Sequence, residues 1–107
     1  MLINVLFLKE QCQKFIKENP GLKISKVVEK KGDFVFYRVY KNINTKIDYE
    51  TADFRIVLVR NENKEEGWSI EYMRYTGRWT ALPIFGDFEY CLDEIENGSW
   101  DVLKPLK

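Results

Sequence analysis

Apolar residues recur at helical spacing near the two ends of the chain and at strand spacing through its middle. Val5, Leu8, Cys12 and Phe15 follow one another at intervals of three and four, which places them on one stripe and predicts a helix over residues 5–18. Lys9, Gln13, Lys14 and Lys17 fill much of the remainder. Asn19-Pro20-Gly21 ends that helix, since a proline disfavours helical geometry in the residue before it and a glycine can take positive φ.

Strand patterns follow. Residues 22–30 carry Leu22, Ile24, Val27 and Val28 in a broken alternation that hints at a bulge or an early end, and Lys31-Gly32-Asp33 reads as a turn. Residues 34–40 are almost wholly aromatic or β-branched and give the strongest strand signal. Residues 41–51 are polar and read as a long loop. Residues 54–60, 68–75 and 78–82 complete the set, with a hairpin at Thr76-Gly77 and a stop at Pro83. Asp87 is the expected N-cap of a second helix over 87–97, whose stripe is Phe88, Cys91, Leu92 and Ile95 and whose end is Asn97-Gly98. The order predicts an α+β fold: one antiparallel sheet of four to five meandering strands, covered by an N-terminal and a C-terminal helix.

The length of 107 residues fits one α+β domain spanning residues 1–107. A chain of this size buries enough surface to fold without a metal or a disulfide framework. Lys and Arg number 17, as do Asp and Glu, but residues 1–45 are net basic and residues 46–107 net acidic. A balanced total argues against non-specific coating of DNA, which draws its affinity from many uncompensated cations. Whether the two halves form opposite faces or interleave is not readable from the pattern. Cys12 and Cys91 sit in register with apolar neighbours and read as buried thiols; a disulfide between the helices is the alternative, without a dense cysteine framework behind it. The opening Met1–Leu8 stretch is apolar but lacks a basic start and a small-residue cleavage site, and it is too short to span a bilayer. The expectation is a cytoplasmic protein with no membrane association.

The chain has no histidine, which removes imidazole bases, Ser-His-Asp and Cys-His pairs, and histidine-based metal sites. Two cysteines far apart in sequence make no zinc site, and single glycines scattered at turns make no phosphate loop. Hence no catalytic residue, metal or cofactor is expected, and the chain reads as a non-enzyme. Asp48, Glu50 and Asp53 are the only carboxylate cluster that invites a catalytic reading; the competing account is a solvated loop whose charges discourage edge pairing.

Two constellations point to binding. Asp87, Glu89, Asp93, Glu94, Glu96 and Asp101 occur with no intervening Lys or Arg, so the second helix offers an acidic surface for a protein partner carrying a basic one. Against this stands a solvated face whose early acids complement the helix dipole. The second constellation interleaves aromatics with arginine: Tyr37, Arg38, Tyr40, Tyr72, Arg74 and Arg78. On an open sheet face these would stack unpaired bases and neutralise phosphates. Against this, they are the core beneath the helices, with Arg at strand ends reaching outward.

Residues 67–97 carry Gly67-Trp68-Ser69-Ile70-Glu71-Tyr72, Thr76-Gly77-Arg78-Trp79, Leu82-Pro83 and Cys91-Leu92-Asp93-Glu94-Ile95. This arrangement resembles a family of short bacterial proteins catalogued as a domain of unknown function, in which a Trp-containing strand leads through a Gly-Arg-Trp hairpin to a Leu-rich acidic helix. Ser99-Trp100-Asp101-Val102 departs from that family's usual aromatic-Gly ending. The resemblance implies the fold and no activity. The leading expectation is a small non-catalytic intracellular protein, of the inhibitor, immunity or anti-defence type, that binds a protein through its acidic C-terminal helix. The alternative is a single-stranded nucleic-acid binder.

Overall fold

A computed structural model describes residues 4–105; the first three residues of the apolar opening lie outside the described residues. Helix α1 spans Val5–Glu18 and is capped by Asn4, whose side chain accepts a hydrogen bond from the Phe7 amide at 3.0 Å. Cys12 and Phe15 are buried and Leu8 is packed against the core, as the spacing requires, whereas Val5 remains 37% exposed at the helix start. A 3₁₀ turn at Pro20–Leu22 follows, and the left-handed conformation that reverses the chain falls on Lys23 (φ 56°) rather than on Gly21. Leu22 therefore belongs to the turn, and the sheet begins two residues later.

Five antiparallel strands form a meander in chain order: β1 (Ile24–Lys30), β2 (Asp33–Lys41), β3 (Asp48–Arg60), β4 (Glu66–Met73) and β5 (Trp79–Ala81). The broken alternation of β1 is a bulge between Ile24 and Lys26. A second irregularity sets Phe36 opposite Phe54 but Tyr37 opposite Ala52, leaving Asp53 as the extra residue of β3. Residues 41–51 are not a long loop. β2 continues to Lys41 and β3 begins at Asp48, because Asn42 closes a short turn: its side-chain oxygen accepts from the amides of Asn44 and Thr45. Polarity alone misread a solvated two-stranded ribbon, which reaches past its neighbours and accompanies the elongated outline of 48 × 27 × 26 Å.

One face of the sheet carries the core. Phe34, Phe36, Phe54, Ile56 and Ile70 are fully buried there against Cys12 and Phe15 of α1 and Phe88, Cys91, Leu92 and Ile95 of helix α2 (Phe88–Glu96). Burial of each large side chain contributes about 1.5–3 kcal/mol. Phe36 stacks on Phe54 with centroids 4.8 Å apart, and Phe88 meets both Phe34 and Trp68 edge-on. Asp87 caps α2, accepting from the Tyr90 amide at 2.7 Å. Among the described residues, no helix is long and apolar enough to cross a membrane.

Arg38 is the largest fully buried side chain, at 1% exposure. Its Nε donates to the Leu22 carbonyl at 2.9 Å, its Nη2 to the Leu103 carbonyl at 2.8 Å, and its Nη1 to Asp53 at 3.1 Å. Tyr40 donates to the same Asp53 carboxylate. One guanidinium thus joins the 3₁₀ turn after α1, the bulge of β3 and a second 3₁₀ turn at Asp101–Leu103 that follows α2. Five N–H donors in a rigid fork suit this role, and a lysine ammonium cannot reproduce it. Arg38→Ala is expected to lower unfolding free energy by about 3–5 kcal/mol, since it strands a part-buried carboxylate and two carbonyls. Arg38→Lys should recover only part of that loss. Urea unfolding of the three proteins checks it, and a near-neutral Arg38→Ala would refute the clamp.

Candidate functional site

Each helix presents a second stripe that overlaps its buried one at Phe15 and at Leu92. On α1 it is Phe7, Glu10, Gln11, Lys14, Phe15 and Glu18; on α2 it is Glu89, Leu92, Asp93 and Glu96. Both sets follow the three-and-four spacing of one helix face. Together they line a groove of about 460 Å³ between the helices. Phe15 and Leu92 are 7% exposed in it, while Phe7 is 53% exposed. Around these apolar residues stand five carboxylates and a single ammonium.

Most acidic side chains of this protein have partners. Asp33, Asp48, Glu50, Asp53, Glu66, Glu71 and Asp101 form ion pairs, and Glu29, Glu65, Asp87 and Glu94 accept hydrogen bonds. Among the described residues, Glu10, Glu18, Glu62, Glu89, Asp93 and Glu96 do neither, and all but Glu62 line the groove. The dipole account of the acidic helix covers only part of this set. Glu89 lies in the first turn of α2, where negative charge is favoured, but Asp93 and Glu96 lie in the last turn, and Glu18 ends α1. At helix C-termini carboxylates oppose the dipole, and the last turn of α2 has no basic residue to offset them.

The structure divides the six acids expected to meet a partner. Glu89, Asp93 and Glu96 share the groove. Asp87 is committed to the helix cap, Glu94 accepts from the Tyr90 hydroxyl at 2.9 Å, and Asp101 pairs with Lys104 at 3.2 Å beyond the helix. Glu10, Glu18 and Phe7 were not singled out from the sequence. Their signal was the spacing that puts them beside Phe15, and it was obscured by the four basic or amide residues that give α1 a cationic appearance.

The aromatic and arginine set is not one surface, and here the expectation is corrected. Arg38 and Tyr40 lie on the helix-covered face, with Arg38 inside the core. Tyr37 lies on the opposite face, where the Lys30 ammonium donates to its hydroxyl at 2.6 Å. Tyr72 packs against the core, and Arg74 and Arg78 are exposed around the β4–β5 turn. A period of two cannot say which face the helices will cover, and they cover that of Arg38. The uncovered face has its own depression, of about 660 Å³, lined by Val35, Tyr37, Ala52, Arg55, Met73 and Trp79 among others. Its arginine is already engaged: Arg55 lies 4.3 Å from the Trp79 ring centroid and pairs with Glu71 at 2.6 Å and Asp33 at 3.6 Å. Burial pushes the Asp33 carboxyl up despite the pull of Arg55.

Asp48, Glu50 and Asp53 do not converge. They pair separately with Lys41, Lys26 and Arg38 along β3. Among the described residues, no cluster of three or more Asp, Glu or Cys is arranged to hold a metal ion. The same pairs settle the question of the two oppositely charged halves, because Lys26–Glu50, Asp33–Arg55, Arg38–Asp53 and Lys41–Asp48 interleave them. Cys12 and Cys91 are free and fully buried, and burial pushes both thiols up to about 12, with Asp87 and Glu94 adding to the effect on Cys91.

Thiols in that state are poor nucleophiles. An aromatic disulfide reagent at pH 8 is expected to leave both cysteines unmodified in the folded protein and to titrate both in urea; rapid labelling of the folded chain would contradict their burial. The raised values also link folding to pH. Their contribution to stability is intact below the ordinary thiol value of 9.0 and is lost progressively as pH rises towards about 12. A scan against protein-family models and searches of curated proteins and of solved structures return no match, so the reading of function rests on the chemistry of the groove.

Proposed function

We propose that this protein is a non-catalytic binding module that receives a basic segment of a protein partner in the groove between α1 and α2. One observation carries the reading: five of the six acidic side chains that have no ion pair or hydrogen bond among the described residues line the same groove. Like charges gathered this way repel one another, and a cationic partner relieves that repulsion. The position of Glu18, Asp93 and Glu96 at helix C-termini supports the same reading, since those sites favour cations when folding alone is considered. Exposed Phe7 and the flanking Phe15 and Leu92 supply the apolar contact that charge complementarity alone lacks.

The class of protein that fits is an intracellular, inhibitor-like module acting in the cytoplasm of a bacterial or phage-infected cell. It would occupy the cationic surface of its target, such as the substrate-binding face of a protein that handles nucleic acid. Single-stranded nucleic-acid binding finds less support: Arg38 is buried, Arg55 is paired, and the groove with free charge is acidic.

Stability and binding should therefore move in opposite directions. Glu96→Lys is expected to raise unfolding free energy by about 0.3–1 kcal/mol, by reversing an unfavourable dipole contact, while weakening capture of the partner by at least about tenfold. Asp93→Lys should behave alike, and Glu62→Lys, which removes an unpaired acid outside the groove, should leave capture unchanged. The measurements are urea unfolding and pull-down of tagged protein from its native cell, with and without nuclease and at low and high salt. Equal retention by the groove variants and the wild type, or recovery of nucleic acid alone, would overturn the proposal.

A further inference from the structure

We infer that the segment received by the groove is an amphipathic α-helix with a narrow apolar stripe flanked on both sides by Lys or Arg; this rests on the proposed function and specifies its partner. The first argument is hydrogen bonding. Both walls are helices, whose backbone amides and carbonyls are satisfied internally away from their ends, and the groove presents no strand edge. Away from the helix ends, a segment seated there finds no backbone partner on either wall. Only a helix brings its own amides already paired, whereas an extended segment would leave donors and acceptors unsatisfied where it is shielded from water.

The second argument is the pattern of the walls. α1 contributes side chains at steps of three, four, seven, eight and eleven from Phe7, and α2 at steps of three, four and seven from Glu89. Two such ridges with a depression between them match the packing of a third helix, ridge into groove. Phe15 and Leu92 are the buried apolar members, and the carboxylates stand on both helices, Glu10 and Glu18 on one and Glu89, Asp93 and Glu96 on the other. The complementary occupant carries apolar residues at i, i+3 or i+4 and i+7, with cations on either side of that stripe. The wall from Phe7 to Glu18 is about 16 Å long at 1.5 Å per residue, which sets an occupant of about three to four turns.

The test uses the full chain and three synthetic peptides of about 14 residues. The first places leucines on one helical stripe between lysines. The second has the same composition with the leucines spread round the helix. The third keeps the first pattern but carries two central prolines. Binding is followed by fluorescence titration, induced helicity by circular dichroism, and location by amide chemical-shift changes. The patterned peptide is expected to become helical on binding, to perturb the groove faces of α1 and α2, and to bind at least about tenfold more tightly than the other two. Asp93→Lys with Glu96→Lys should remove that advantage. Equal binding of all three peptides at the groove would overturn the helical occupant and leave the acidic docking site standing. Shifts located elsewhere, or no binding by any of the three, would overturn both.

Discussion

The guanidinium of Arg38 is the contact on which the arrangement of this molecule depends. It sits within β2 opposite the first residue of β1, and its three sets of donors reach three different segments. Two of these are the 3₁₀ turns that come next in the chain after α1 and after α2. One side chain of the sheet therefore ties down the chain beyond each wall of the groove, four residues past the end of α1 at Leu22 and seven past the end of α2 at Leu103. Hydrophobic packing alone fixes that the helices lie on the sheet; it is non-directional and leaves their mutual angle weakly specified. A buried fork of charge-assisted hydrogen bonds has a direction, and it supplies the missing constraint.

Four ion pairs stitch the two oppositely charged halves of the chain together on the sheet. Among the described residues, the carboxylates that line the groove have no such pairs. Local rules would place cations at the C-terminal ends of α1 and α2; Glu18 follows Lys17 at the end of α1, whereas the last turn of α2 carries Asp93 and Glu96 and no basic residue. Departures from local preference concentrate where a protein has a use for them beyond folding. The groove is the region of this chain where such a departure coincides with a concave surface and an exposed aromatic ring.

The two faces of the sheet show why residue types do not announce their roles. Tyr37 and Arg38 are adjacent in sequence and belong to opposite faces. One joins a lysine on the uncovered side; the other is the largest buried side chain in the protein. Arg55 and Trp79 resemble a stacking site for a base, but the arginine is held by Glu71 and Asp33, so its charge is already answered within the sheet. Availability, rather than chemistry, separates that depression from the acidic groove.

By itself the sequence determined what depends on neighbours along the chain: helix α1 to the residue, the extent of α2 and its Asp87 cap, the bulge early in β1, the antiparallel meander and the apolar stripes that became the core. Each follows from period, propensity or capping, which are local physics. It misread residues 41–51, because polarity does not distinguish a solvated ribbon from a loop when the closing signal is the side chain of Asn42. The site was legible in halves. Glu89, Asp93 and Glu96 stood out as part of an uninterrupted acidic run, but the sequence could not separate them from Asp87, Glu94 and Asp101, which are spent on local contacts. Glu10, Glu18 and Phe7 joined them only when the fold brought α1 alongside α2, and the assignment of Arg38 to the core waited on which face of the sheet the helices would cover. Those outcomes belong to tertiary structure because they depend on contacts between residues as far apart as 38 and 103, and no pattern along the chain records such contacts.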